Sequence, residues 1–154
     1  MRQPIRRVAH DHLMVWGALM RPLIDEVAGS VPKAVLRRME GHHTRFGRLL
    51  DELARFGTDD ERLDERVAKS REIAMENFDF FASLTELTGN PPLRAALEGE
   101  QHILRLGSLA LPEWIDVAGL GDAQARLLDG LRAGDRGACQ GALDAVLRMV
   151  VPGA

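Results

Sequence analysis

Apolar residues recur three and four positions apart along most of this chain, the repeat of a single helix face. From Asp11 the series Leu13, Trp16, Met20, Leu23 and Val27 follows it. Pro22 falls inside that series and predicts a kink or a break near Met20. Residues 1–10 carry Pro4 and the arginines Arg2, Arg6 and Arg7 with no core pattern, and read as a linker or frayed start to a domain spanning residues 11–151. After the stop at Gly29-Ser30, Pro32 opens a second helix. Its inward stripe is Val35, Met39, His42, Phe46, Leu49 and Leu53, and Arg37, Arg38, Arg45 and Arg55 fall on the outer face.

Gly57 is the next stop. Thr58 or Asp59 can cap a third helix, with acidic residues in its first turn where the helix dipole favours them. Its stripe reads Leu63, Val67, Ser70, Ala74, Asn77, Phe81, Leu84 and Thr88. Such a helix would be roughly 45 Å long at 1.5 Å per residue. The stretch from Glu76 to Leu93 carries the sharpest punctuation in the chain. Gly89 is predicted to supply a left-handed helix end, and Pro91-Pro92 to begin the next helix. Leu93, Leu97, Leu104 and Leu111 predict a fourth helix through about Ser108, broken at Leu111-Pro112. A short turn with Trp114 and Ile115 follows. Asp122 is predicted to cap a helix with Gln124, Leu127, Leu128 and Leu131 inward, and Ala133-Gly134-Asp135 to stop it and cap another. The last helix carries Ala138, Ala142, Leu143, Val146, Leu147 and Val150 before Pro152-Gly153. No segment alternates with period two. The fold class is all-α, an antiparallel bundle of six or seven helices.

The 154 residues suffice for one domain with its own core. A net charge of −3 and 5% aromatics argue against a dense basic patch or a base-stacking surface. The lone Cys139 excludes an internal disulfide framework and fits a reducing compartment; beside no activating neighbour, it reads as a small core residue. No apolar run reaches the ~18 residues of a membrane span, and no signal-peptide core follows the N-terminal arginines, so a cytoplasmic location is expected.

Two stretches resemble the FCD family, the C-terminal effector domain of FadR-type GntR transcription regulators. The first is Asn77-Phe78-Asp79-Phe80-Phe81-Ala82-Ser83-Leu84 continued by Gly89-Asn90-Pro91. It is similar to the family pattern of Asp, two residues, Phe-His, then Ala and Leu, and Gly-Asn-Pro. The second runs from Gln124 to Asp135 and on through Ala138, Ala142, Leu143 and Leu147, and is similar to the family's last two helices with their Gly-Asp joint. Val15–Ala28 resembles the first helix more weakly. Many members hold a divalent metal with one Asp and three His. Here the Asp position is Asn77 and the His positions are Phe81, Gln124 and Val146, so the resemblance implies a metal-free member with no cofactor. Trp16 and Met20 stand at the positions of an Arg and an acidic residue. Metal-free relatives include ones that bind fatty acyl-CoA.

The resemblance implies a ligand-sensing, homodimerising domain whose core takes a small apolar effector such as a fatty acid or acyl-CoA. DNA would be reached only through a winged-helix head that this chain does not contain. Trp16, Met20, His42, Asn77, Phe81, Gln124 and Val146 are the candidate effector residues. Asn77 and Gln124 can face an effector, or can bond each other or a buried water. His42 and His43 point about 100° apart and cannot share one ion. An enzyme using His42 or the Glu98–His102 pair, and a ligand-free structural dimerisation module, are the alternatives. No Gly-x-Ser-x-Gly elbow and no glycine-rich phosphate loop is present.

Overall fold

A computed structural model describes residues 2–57, 60–108 and 117–148. Among them are six α-helices and no strand: α1 Arg2–Val27, α2 Lys33–Arg55, α3 Leu63–Thr85, α4 Pro91–Ser108, α5 Val117–Ala133 and α6 Arg136–Arg148. A 3-10 turn, Asp60–Arg62, leads into α3. The all-α bundle expected from the apolar spacing is therefore the observed architecture. No described helix is long and apolar enough to cross a membrane. The expected Thr58 or Asp59 cap, the Leu111-Pro112 break, the turn with Trp114 and Ile115, Val150 and the Pro152-Gly153 end lie outside the described residues.

The helices pack as a closed ring in the order α1, α4, α3, α2, α5, α6 and back to α1. Short connections make α2–α3, α3–α4 and α5–α6 hairpins. The core fills the ring. Trp16, Met20, Leu23 and Ile24 enter from α1, Met39 and Phe46 from α2, Ile73, Phe80 and Phe81 from α3, Leu97 from α4, Leu127 from α5 and Leu143 from α6. Helices of this length need such burial, because propensity alone leaves them marginal in water.

Four boundaries differ from the sequence expectation. α1 starts at Arg2 and runs through Pro22 without a break. Pro4 lies in the first turn, where an N–H has no intrahelical partner anyway. Pro22 and Ala18 are both exposed, so the carbonyl that Pro22 leaves unpaired is reached by water. The Gln140 amide steadies this turn, donating to the Arg21 carbonyl at 2.9 Å and to Asp25 at 3.0 Å. α3 ends at Thr85 and is about 35 Å long, short of the 45 Å expected. Its inward face uses Ile73 and Phe80, whereas Leu63 is 51% exposed. α5 begins at Val117, so Gly119 and Gly121 lie inside it and Asp122 is no cap.

Gly89 does not take the left-handed backbone expected of it; among the described glycines only Gly29, Gly57 and Gly134 do. Its N–H instead donates to Glu26 at 2.8 Å, and the Thr88 hydroxyl donates to the same carboxylate at 2.8 Å. Asn90 caps α4, accepting from the Leu93 N–H at 3.1 Å. The Gly134-Asp135 joint is as the sequence predicts. Gly134 has φ 68°, the Asp135 N–H returns to the Gly130 carbonyl at 2.9 Å, and its carboxylate accepts from the Ala138 N–H at 3.0 Å.

Candidate functional site

The residues singled out for the bundle centre come from α1, α2, α3, α5 and α6, and all except His42 of α2 are buried. Asn77 is 6% exposed and Gln124 is fully enclosed. The Gln124 amide donates to the Asn77 carbonyl oxygen at 2.8 Å. The Gln124 carbonyl oxygen lies 3.0 Å from His43 Nδ1, which donates to it. A polar chain His43–Gln124–Asn77 thus joins α2, α5 and α3. α3 and α5 are not neighbours in the ring, so the Asn77–Gln124 bond crosses its interior.

A second contact also crosses the interior. The Trp16 ring on α1 meets Phe81 on α3 edge to face, with centroids 5.1 Å apart and planes at 89°. Phe80 stacks against Phe81 in the same manner at 5.2 Å. Such pairs stabilise beyond their buried area. The Trp16 indole N–H is buried and has no hydrogen-bond partner among the described residues. A buried indole usually finds an acceptor, so this donor stands out in an otherwise apolar wall. Met20 and Val146 belong to the same core, 0% and 4% exposed.

His42 lies outside this group. The roughly 100° between adjacent helix positions sends His43 to α5 and His42 to α3. His42 Nδ1 sits 2.6 Å from Glu76, with its side chain 16% exposed. His43, which sequence reasoning passed over, is the histidine that reaches the central amides. The apolar stripe pointed to His42 because α2 packs against both α3 and α5, and a single stripe does not separate the two flanks. The Glu98–His102 pair does not form a unit. Glu98 accepts from Arg94 at 3.0 Å, and both Glu98 and His102 are exposed. His12 pairs instead with Glu100 at 2.7 Å.

Two further features were not foreseen. His42, Glu76 and Asp79 place one ligand atom each within 4.8 Å of one another, between α2 and α3. Separately, a cleft of about 480 Å³ opens beside the start of α2, with Val31, Leu36 and Leu131 and the exposed Lys33, Arg37 and Arg132 in its lining. None of the residues expected at an effector site lines it. Cys139 is wholly buried; desolvation first, then the nearby Asp135 charge, pushes its thiol up to about 11. It packs as a small core residue, as expected from the sequence.

No family model, curated protein or solved structure matches this chain.

Proposed function

We propose that this chain is a ligand-sensing helical domain of the FCD kind, taking an apolar, acyl-type effector in the interior of its six-helix ring. The observation that carries the reading is the Trp16 indole N–H, buried with no partner among the described residues, on a ring packed against Phe81. An effector carbonyl or carboxylate would give the indole its acceptor, and its alkyl portion would lie against Met20, Phe81 and Val146. The resemblance around Asn77–Pro91 supports the same reading. No role is given to a metal at the Asn77, Phe81, Gln124 and Val146 positions, since Phe and Val offer no donor atom and neutral amides are poor ligands.

In this reading the domain acts as a homodimer. Effector entry favours one packing of the ring over another, and an attached DNA-binding head reads the change. The chain alone then binds no operator sequence selectively. A thermal-shift screen with oleate, oleoyl-CoA and short carboxylates is the test. A hit that raises the melting temperature, and that Trp16→Phe or Asn77→Ala weakens, supports the site. Hits indifferent to both substitutions place binding elsewhere, and a monomer in sedimentation equilibrium removes the dimeric mechanism.

One observation favours a second reading, a structural module with a filled core. Asn77 and Gln124 already bond each other, and His43 takes the remaining Gln124 oxygen. A polar centre satisfied in this way needs no ligand for its stability.

A further inference from the structure

We infer that His42, Glu76 and Asp79 form a divalent transition-metal site on the α2–α3 face, occupied by a guanidinium when the ion is absent. It is independent of the effector reading and uses none of the core positions. His42 lies on α2. Glu76 and Asp79 are three apart on α3, so both carboxylates project from one face of that helix, Glu76 bonding to His42 and Arg45 of α2. Their ligand atoms and that of His42 lie within 4.8 Å of one another. In a tetrahedral zinc site, with bonds of about 2.0–2.2 Å, ligand atoms stand about 3.4 Å apart. Small side-chain rotations close the difference.

The geometry of the guanidinium is the second, independent observation. Arg45 Nε donates to Glu76 Oε1 at 2.9 Å, and an Arg45 Nη lies 2.9 Å from His42 Nδ1. The same Nδ1 is 2.6 Å from the same Glu76 oxygen. One ring nitrogen cannot serve both neighbours. With its proton it donates to Glu76 and meets Arg45 donor to donor. Without its proton it accepts from Arg45 and faces the carboxylate lone pairs. A metal cation removes this conflict, because it takes the lone pairs of Nδ1 and both carboxylates at once.

The surroundings permit the exchange. The His42 and Glu76 side chains are 16% and 15% exposed, which holds them in place, whereas Arg45 is 47% exposed and can withdraw into water. Asp79 pairs with Arg105 of α4 at the outer edge, with side chains 39% and 33% exposed. Two carboxylates balance the ion's charge once the guanidiniums leave. One imidazole and two carboxylates suit Zn²⁺ or a neighbouring borderline ion, and three protein ligands leave a position for water. Binding would clamp α2 to α3.

Isothermal titration of the purified chain with ZnCl₂ tests this. One ion per chain is expected. His42→Ala, Glu76→Gln and Asp79→Asn should each weaken it by at least about tenfold. Arg45→Ala should strengthen it several-fold, because it removes the competing cation. Circular dichroism shows whether each variant is folded, and the outermost ligand change, Asp79→Asn, keeps the test decisive if Glu76→Gln fails to fold. No binding, binding unchanged by Asp79→Asn (as expected if the ion sits on His12 and Glu100), or a weaker ion in Arg45→Ala would each overturn the site.

Discussion

Glu26 shows how a single side chain organises a joint between elements. It lies near the end of α1, and its carboxylate accepts from the Gly89 N–H and the Thr88 hydroxyl between α3 and α4. The Gly89 hydrogen bond first, then the Thr88 one, holds the carboxyl below its ordinary value of 4.5. A depressed folded-state value means a contribution that is complete above the unfolded value and is lost as pH falls through the folded one. Wild type should therefore exceed Glu26→Gln in urea stability at pH 7, with the gap closing below about pH 4. An unchanged gap at pH 3 would show that the charged carboxylate does not hold the joint. Sequence reasoning correctly located this joint at Gly89-Asn90-Pro91. It misassigned the role of Gly89, because the partner of its N–H lies on α1, 63 residues away.

At the scale of elements, the spacing of apolar residues was enough to find every described helix, and the Gly134-Asp135 stop and cap formed as predicted. Errors cluster where tertiary contacts override local signals. Pro22 breaks nothing because it faces outward. The stripe on α3 misses Phe80 because the second half of that helix is enclosed on several sides, so no single line of positions describes its buried face. One element-level contact was invisible in sequence: Gly29, with φ 83°, abuts Gly134, so a Cβ on Gly29 would lie 3.2 Å from the Gly134 Cα. Gly29→Ala should cost about 1–2 kcal/mol from the left-handed backbone alone. Gly99 in α4 has open space at its Cβ, and Gly99→Ala should raise stability by roughly 0.5–1 kcal/mol. Urea denaturation of both variants checks the pair; two changes of the same sign would contradict this account of the joint.

The described residues form a ring of six helices whose interior is crossed by Trp16–Phe81 and by Asn77–Gln124. The candidate residues on α1, α3, α5 and α6 were legible because their spacing put them on inward faces. Their pairing was not, because it depends on which helices oppose one another across the ring. The same ignorance of neighbours made His42, rather than His43, the expected central histidine. The amide pair gives a test of the ring's interior. Asn77→Leu alone should cost about 1–3 kcal/mol, leaving the Gln124 amide buried without its acceptor. Adding Gln124→Leu should recover part of that loss, because no unpaired amide then remains and the His43 Nδ1 that loses its acceptor is only half-buried. Additive losses in this cycle would show that the two amides act separately.

The proposed effector site lies in the ring's interior, at Trp16. Its most direct measurement is the fluorescence of Trp16 in a Trp114→Phe background, which leaves a single indole, titrated with oleate and oleoyl-CoA. An effector bound there should give a saturable change in emission as the buried indole gains an acceptor, with a midpoint that Phe81→Ala moves to higher ligand concentration. Emission that stays constant while the same ligands raise the melting temperature would place them outside the ring. Constant emission with no thermal shift would contradict acyl binding by this chain.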